Sequence, residues 1–468
     1  MKKIIIFLAV VIAGIVVACN SKPTKPKLAG GTSVQLSDDS LLTLIQYKTF
    51  QYFWEGAEPN SGMARERYHV NNVYPENDMN IVTIGGTGFG VMAIIVGIER
   101  GFITREEGFQ HLSKIVSFLT KADRFHGAWP HWLDGETGKV KPFSTHDNGG
   151  DLVETSFLVQ GLIAVKQYFI QGNEAERALS LQIAKLCNEV EWSWYQNGQK
   201  AIYWHWSPNY EWKMNFAIKG YNECLITYVL GASSATYPVD PAAYHTTWAM
   251  DGAIKSAHEK YGYKLSMVHQ ACPEYGGPLF WEHYSFLGLD PRKLKDNYAD
   301  YWEHNRNHVL INRQYCIENP KQYKGYGEGS WGLTSSYSIP NFAEAEKNHT
   351  DFGSIGNDGF GYAGHCPCED LSVISPTAAL SSFPYAPAEC MKAARYMHEV
   401  LGDRLFGKFG FYDAYSEQFN WFPQKYLAID QGPIVVMIEN YRSGLLWKLF
   451  MSDTDVQNGL NKLGFQYQ

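Results

Sequence analysis

Apolar residues recur at helical spacing along most of the chain after Ser40. Segment 41–54 is amphipathic, segment 88–100 is apolar on nearly every side, and the segment that follows Thr104 is apolar on one face only. The alternation continues with an apolar segment at 152–170 and an amphipathic one at 174–195. The same spacing predicts further helices at 216–231, 241–257, 279–287, 292–316, 375–382, 386–401 and 431–450.

These segments predict an all-α (α/α)6 toroid, in which six inner helices touch neighbours on all sides and six outer helices face water. A helical solenoid is the competing interpretation, but the sequence shows no repeat of fixed period. Long loops that are polar and rich in glycine and aromatic residues interrupt the helices, and loops of that length are usually functional. They lie at 57–86, 122–151, 196–215 and 317–373. We expect one domain over residues 40–468 with these loops at one mouth.

The first 39 residues read as an export signal and a tether. Lys2 and Lys3 precede an apolar run from Ile4 to Val17 that is too short to span a bilayer comfortably. The run ends in Val-Val-Ala-Cys, similar to the bacterial lipobox, so residues 1–19 predict a lipoprotein signal with diacylation of Cys19. Residues 20–39 are a flexible tether. We expect an exported lipoprotein of the outer membrane, on its periplasmic side or at the cell surface; a plain signal with an incidental Cys is the alternative.

Composition narrows the function classes. The 468 residues include 40 basic and 48 acidic side chains, a formal net charge of −8, with 19% charged and 15% aromatic residues. This balance argues against long disordered stretches and against a nucleic-acid partner, which needs a basic surface. The aromatic excess is typical of a globular protein that presents flat ring faces to a ligand.

Neither a metal nor an organic cofactor is implied. Cys366 and Cys368, in a His-Cys-Pro-Cys run, lack the spacing of zinc ligands. Most of the other cysteines lie singly in apolar contexts, namely Cys187, Cys224, Cys316 and Cys390. The glycine-rich segment 80–90 is followed by an apolar helix and another helix, without the βαβ context that a dinucleotide site requires.

Asp147, Asp151 and Glu154 form an acidic cluster at the start of the predicted helix 152–170. Asp151 suits an N-cap and Glu154 suits its capping-box partner. An inner helix that begins at the mouth of a toroid would also place these carboxylates where a substrate enters, and Asp147 is not needed for the cap. We therefore expect the cluster to contribute to a site.

Two further carboxylates stand in apolar or aromatic surroundings. Glu223 lies in a strongly apolar stretch, where burial would raise its pKa as a general acid at neutral pH requires; a Glu paired with a buried Arg or Lys is the alternative. Asp413 lies in an aromatic, glycine-containing loop before the last inner helix and could contribute to a sugar site. The alternative is that Asp413 only stabilises a turn. Aromatic side chains that could stack on pyranose rings are Trp129, Trp132, Trp204, Trp206, Trp212 and Trp421.

Several long motifs resemble the bacterial glucoamylase-like proteins that include the endo-β-1,2-glucanases of glycoside hydrolase family 144. They occur in order over nearly the whole chain after the tether: FQYFWEGAEPNSGMARER, TGFGVMAIIVGIERGFITREE, GPLFWEHYSFLGLDPR, NRNHVLINRQYCIENP, WGLTSS, ISPTAALSSFPYAP and FGFYDAYS. The resemblance implies an (α/α)6 fold and hydrolysis of a glucan with inversion. It also implies that Asp147, Asp151 and Glu154 match the family's acidic cluster, Glu223 its general acid and Asp413 its second essential carboxylate.

The resulting hypothesis is a monomeric, lipid-anchored β-glucan hydrolase, with β-1,2-glucan as the substrate that the resemblance implies. Glu223 would protonate the leaving oxygen, and Asp413 or the Asp147/Asp151/Glu154 cluster would activate water. An α-glucan hydrolase stays possible, because fold similarity does not fix linkage. Two alternatives belong to other functional classes. One is a non-catalytic glycan-binding lipoprotein of an uptake system, and the other is a polysaccharide lyase.

Overall fold

The computed structural model describes residues 35–74, 79–343 and 359–467. The signal sequence with Cys19 and most of the tether lie outside these residues. Within the described ranges, no helix combines the length and apolarity that crossing a bilayer requires.

Helices dominate the architecture. Numbered along the chain, the α-helices of the described residues are α1 (Asp38–Trp54), α2 (Ile84–Glu99), α3 (Arg105–Leu119), α4 (Leu152–Phe169), α5 (Glu174–Asn188), α6 (Leu225–Ser233), α7 (Tyr301–Glu318), α8 (Pro376–Leu380), α9 (Pro387–Arg395), α10 (Gly402–Leu405), α11 (Ala428–Arg442), α12 (Leu445–Met451) and α13 (Thr454–Lys462). Shorter helical turns include Tyr244–Trp248, Leu279–Glu282, Tyr284–Phe286 and Tyr396–Val400.

The predicted toroid is confirmed. Helix α2 packs against α4 and α11, α4 packs against α6, and α11 packs against α8. The turns at Leu279–Glu282 and Tyr284–Phe286 occupy the remaining inner position, between α6 and α8. Helix α6 contacts the second turn. On the other side, His283 Nε2 lies 3.0 Å from the Oγ of Ser382, which follows α8. The outer layer includes α1, α3 and α5, which pack against this ring, and the apolar core fills the space between the layers.

Small antiparallel sheets accompany the helices, and three of them lie where inner helices begin. The strands are β1 (Arg67–His69), β2 (Ile81–Thr83), β3 (Trp132–Asp134), β4 (Val140–Lys141), β5 (Gly150–Asp151), β6 (His205–Trp206), β7 (Lys255–Lys260), β8 (Tyr263–Met267), β9 (Ser335–Ser338), β10 (Gly361–Gly364), β11 (Phe406–Gly407), β12 (Gly410–Phe411) and β13 (Lys425–Leu427). The pairs are β1–β13, β2–β3–β4, β5–β6, β7–β8, β9–β10 and β11–β12. Because β2, β5 and β13 lead directly into α2, α4 and α11, their sheets surround the N-terminal mouth.

The prediction was largely wrong for two of the helices, those at 216–231 and 241–257. In segment 216–231 the helix begins only at Leu225, because Gly220 adopts a left-handed backbone conformation and the Asn222 side chain accepts the N–H of Cys224 in a turn. In segment 241–257 only the short turns Tyr244–Trp248 and Met250–Gly252 are helical, since Asp251 and Gly252 have positive φ and the chain then enters the β7–β8 hairpin.

Other boundaries also moved. Segment 279–287 forms two short turns rather than a continuous helix. Segment 292–316 is helical only from Tyr301, because Asp300 caps α7 there. Segment 431–450 contains two helices, α11 and α12, separated by Gly444 in a left-handed conformation.

A disulfide between Cys272 and Cys368 links the loop after β8 to the segment after β10, with the two Cα atoms 5.7 Å apart. Cys368 is therefore a covalent staple, which the spacing of the cysteines did not predict. Cys224, Cys316 and Cys390 are free and buried, as expected of small core residues.

Candidate functional site

A cavity of about 550 Å³ opens at the N-terminal mouth of the inner ring. Its wall contains three carboxylates, those of Glu66, Glu154 and Glu223. Aromatic side chains cover much of the rest of the wall, among them Trp132, Phe143, Trp204, Phe280, Tyr284 and Tyr337. Carboxylates among ring faces are the arrangement that a sugar-cleaving site needs.

The start of α4 divides the predicted acidic cluster. Asp151 is the N-cap, and its Oδ1 accepts the N–H groups of Val153 and Glu154 at 3.0 and 2.9 Å, as predicted. The capping-box role of Glu154 was wrong, because Glu154 Oε2 instead accepts the N–H of Gly85 at 2.7 Å. Glu154 therefore crosses from α4 to α2 and reaches the cavity, whereas Asp151 is fully buried behind it.

His131 holds this cluster together. Its Nδ1 lies 3.0 Å from Asp151 Oδ2 and its Nε2 lies 4.0 Å from Glu154 Oε1. Burial disfavours the imidazolium, but the negative charges of Glu154 and Asp151 outweigh it and raise the pKa of His131 to about 10. Burial raises the pKa of Glu154 in turn, although the His131 charge opposes that shift.

Asp147 pairs with a second histidine. Its Oδ2 lies 3.3 Å from His205 Nε2, which is also 3.6 Å from Asp151 Oδ2. The Asp147 side chain is buried and is not among the residues that line the cavity. Of the three acids in the predicted cluster, only Glu154 reaches the cavity.

Glu223 lies in the extended turn that precedes α6, not in a helix as predicted. Its carbonyl oxygen accepts the hydroxyl of Ser285, and the same hydroxyl oxygen accepts the N–H of Ile226 at 3.0 Å, so the turn is fixed against the inner ring. Glu223 forms no salt bridge with any described residue, so the alternative of a buried ion pair is not seen there. Burial raises the pKa of Glu223 to about 7.

Asp413 lies behind the cavity wall and forms a pair with Asp430 in the first turn of α11. Asp413 Oδ2 accepts the N–H of Tyr337 at 2.7 Å, and Asp430 Oδ1 accepts the hydroxyl of Tyr284 at 3.3 Å. The two carboxyl groups interact directly, and Asp413 Oδ1 and Asp430 Oδ2 have no other hydrogen-bond partner among the described residues. Burial raises the pKa of both, and the charge of Asp413 raises that of Asp430 further.

Sequence reasoning missed Asp430 and Glu66. Asp430 had a usable signal, since it is an acid in the first turn of an apolar inner helix, the same pattern that singled out Glu154. Glu66 had none, because it precedes a short strand within a polar loop. Its position on the cavity wall follows from the β1–β13 pairing.

The predicted stacking tryptophans fall into three groups. Trp132 and Trp204 line the cavity, where Phe143 meets Trp132 edge-to-face and Phe216 stacks on Trp204. Trp206 and Trp212 are half-buried beside Trp194, away from the cavity wall. Trp129 and Trp421 are fully buried and donate their indole N–H to the carbonyls of Leu119 and Gly359, so the structure assigns their rings to the core and corrects their predicted role.

Two groups of described side chains bring metal-ligating atoms within 4.8 Å of one another, namely His131, Asp147 and Asp151, and His269, Glu282 and His308. In the first, His131 Nδ1 lies 3.0 Å from Asp151 Oδ2, and Asp147 Oδ2 lies 3.3 Å from His205 Nε2, so each acid already has a histidine partner. In the second, Gly277 N–H donates to His269 Nδ1, so the His269 proton is on Nε2 and faces His304 Nε2 at 3.0 Å. Both groups are better described as hydrogen-bond networks.

Residues 215–454 match the Glycoamylase family model, which describes glucoamylase-like proteins. An exo-β-1,2-glucooligosaccharide sophorohydrolase (non-reducing end) of Parabacteroides distasonis is 44% identical over 452 residues, which cover 92% of this chain and 59% of that protein. The chain thus spans less than two thirds of the length of this curated relative.

Solved structures resemble the chain over almost its whole length. The endo-β-1,2-glucanase of Chitinophaga pinensis, in complex with sophorotriose and glucose, matches with a TM-score of 0.87 at 61% identity. The match covers 92% of this chain and 99% of that chain. The β-1,2-glucanase of Parabacteroides distasonis has a TM-score of 0.83 at 42% identity, with 93% of this chain and 61% of that chain covered. The family match, the identity and the shared toroid agree: the chain belongs to the Glycoamylase family.

Proposed function

We propose that this chain is a glycoside hydrolase that cleaves β-1,2-glucan or its oligosaccharides. The observation that carries the proposal is Glu223, which lines an aromatic cavity, has no salt bridge to a described residue, and has a pKa raised by burial to about 7. A carboxylic acid that keeps its proton at neutral pH can protonate a leaving oxygen. The names of the similar sophorohydrolase and endo-β-1,2-glucanase support the choice of linkage.

In the proposed reaction Glu223 donates its proton to the glycosidic oxygen while a water attacks the anomeric carbon from the opposite face. Inversion requires the acid and the base to be ~6.5–9.5 Å apart, which leaves room for that water. Glu154 is the member of the predicted cluster that can touch such a water, because it alone of the three lines the cavity. Asp413, the other predicted base, lies behind the wall and can act only through another group.

The experiment is incubation with β-1,2-, β-1,3- and α-1,4-glucans, with chromatography of the products. We expect sophorose or short β-1,2-linked oligomers from the first substrate only. The Glu223→Gln variant should lower kcat by roughly 10²–10⁴-fold, the range for loss of a general acid. Glu259→Gln, on the exposed β7 strand, is the matched control and should keep full activity.

Two results would contradict the proposal. Sugar released only from the α-1,4-glucan would indicate a glucoamylase-type specificity. A Glu223→Gln variant that binds and behaves as the wild type, with no product from any glucan, would favour the non-catalytic glycan-binding alternative.

We propose further that the chain is an exported monomeric lipoprotein, anchored in the outer membrane through Cys19. The lipobox-like sequence supports the anchor, and the Cys272–Cys368 disulfide is typical of an oxidising compartment. Mass spectrometry of the mature N-terminus should find a diacylated Cys19, and Cys19→Ser should move the protein to the soluble fraction. An unmodified Cys19 in membrane-bound protein would contradict the anchor, and a dimer mass in light scattering would contradict the monomer.

A further inference from the structure

Asp413 and Asp430 are both buried to about 1% exposure and neither lines the cavity. A hydroxyl links the cavity wall to the pair, because Tyr284 lines the wall and donates its hydroxyl to Asp430. The phenol ring is fixed between Phe89, Phe157 and Phe280, so the hydroxyl has a defined position.

The hydrogen bonds around the pair all have a determined direction. Tyr337 N–H must donate to Asp413 Oδ2, and the Tyr284 hydroxyl donates to Asp430 Oδ1. The two remaining oxygens, Asp413 Oδ1 and Asp430 Oδ2, find no other donor among the described residues. Two carboxylate oxygens can face each other without a large penalty only when one proton lies between them.

The surroundings favour a single negative charge on the pair. Glu66 adds its negative charge to both carboxyl groups, and the ring hydroxyls of Tyr284, Tyr337 and Tyr362 also interact with them electrostatically. Asp413 is stabilised as the anion by the backbone N–H of Tyr337, whereas Asp430 has only the longer phenol contact. The shared proton therefore belongs on Asp430 Oδ2.

We propose that Tyr284, Asp430 and Asp413 form a proton relay that connects water in the cavity to the buried carboxylate of Asp413. All the donors then point the same way, from Tyr284 to Asp430 and from Asp430 to Asp413. The proposal rests on the proposed hydrolase function, because it assigns the destination of the proton that the attacking water loses.

The step balances as follows. The water oxygen uses an electron pair to bond to the anomeric carbon as the glycosidic C–O bond breaks and Glu223 protonates the leaving oxygen. The water proton passes to the Tyr284 oxygen, the Tyr284 proton passes to Asp430 Oδ1, and the proton on Asp430 Oδ2 passes to Asp413 Oδ1. Asp413 ends neutral and Glu223 ends ionised, so no further reactant is needed.

Kinetics of Tyr284→Phe, Asp430→Asn and Asp413→Asn test the relay. Each should lower kcat by roughly 10²-fold or more while KM changes little, because a proton-transfer route is lost and substrate contacts are kept. Tyr244→Phe is the matched control, since Tyr244 is also a buried phenol that donates to an aspartate, Asp296, but is not among the residues that line the cavity. It should keep the wild-type kcat.

Substrates with an aryl leaving group separate this role from a merely structural one. Such a leaving group needs little protonation, so Glu223→Gln should regain rate, whereas the three relay variants should not. Wild-type kcat in Tyr284→Phe, or recovery of the relay variants with the activated substrate, would overturn the relay.

Infrared difference spectra test the shared proton without any activity. At alkaline pH, where Glu223 is ionised, the C=O stretching band of a protonated carboxyl should disappear in Asp430→Asn and persist in Asp413→Asn and Tyr284→Phe. The opposite pattern would place the proton on Asp413 and overturn the assignment. If the wild type cleaves no glucan, the proposed function fails, while these spectra still decide where the proton lies.

Discussion

At the scale of single residues, the site contrasts carboxyl groups that have a positive partner with carboxyl groups that have none. Burial raises the pKa of Asp151, but the hydrogen bond from His131 and the charge of His205 outweigh burial and lower it below the usual range. Glu223 is half-buried and has no such partner among the described residues, and desolvation raises its pKa to about 7. The same chemical group is thus a fixed anion in one position and a proton donor in another.

A bell-shaped pH profile of kcat/KM follows from these surroundings. Glu223 must be protonated, so activity should fall as pH rises through about 7. Asp413 must be ionised, and burial raises its pKa, so the acidic limb should lie above the usual range of an Asp. Initial rates on β-1,2-glucan across pH test this, and activity that keeps rising through the alkaline range would contradict the role of Glu223.

At the scale of elements, glycines set how closely the inner helices approach. A Cβ on Gly88 in α2 would lie 2.2 Å from the carbonyl oxygen of Phe157, and one on Gly161 in α4 would lie 2.1 Å from that of Gly88. The two backbones therefore touch at a point where no side chain fits. This close packing holds Gly85 where its N–H can bind Glu154, so helix packing positions a cavity carboxylate.

Gly88→Ala should destabilise the protein by about 1–3 kcal/mol, because the inner helices must separate to admit the methyl group. The matched control is Gly402→Ala, where a Cβ would meet nothing within 4 Å. It should leave stability unchanged or raise it slightly. Thermal unfolding followed by circular dichroism measures both, and equal midpoints for the two variants would contradict the packing argument.

At the scale of the whole molecule, the ring is closed by contacts between distant parts of the chain. Helix α1 packs against α11, where Gln46 donates to the carbonyl of Val435 at 3.2 Å. Arg100 at the end of α2 forms an ion pair with Glu439, with Nε 2.7 Å from Oε2. The Cys272–Cys368 bond adds a covalent tie across a sequence separation of 96 residues.

Loss of the disulfide should lower the free energy of unfolding by about 2–4 kcal/mol, since the cross-link restricts the unfolded chain. The double variant Cys272→Ser/Cys368→Ser should unfold at a lower temperature than the oxidised wild type. A reducing agent should lower the midpoint of the wild type and leave that of the double variant unchanged. A wild type insensitive to reduction would contradict a stabilising role for this bond.

Much of the element pattern was predictable because it is local. The capping box at Thr104 and Glu107, the Asp151 cap and the apolar runs of α2, α4 and α11 all depend on neighbours a few residues apart. Prediction was wrong at 216–231 and 241–257, where left-handed residues and strand pairing override the apolar spacing. The helical period marks a buried segment well but does not distinguish a helix from a turn followed by a hairpin.

The sequence by itself determined the ring of alternating helices and the residue types that the site would use, since both are encoded in local spacing and burial. The tertiary structure decided which carboxylates face the cavity. Tyr284 and Asp430, which are hydrogen-bonded, are 146 residues apart in the sequence, and Tyr337 and Asp413 are 76 apart. No local pattern encodes such pairs. Glu154 and Glu223 therefore reach the cavity, while Asp147, Asp151 and Asp413 lie behind its wall, because the packing of the inner ring orients each helix start.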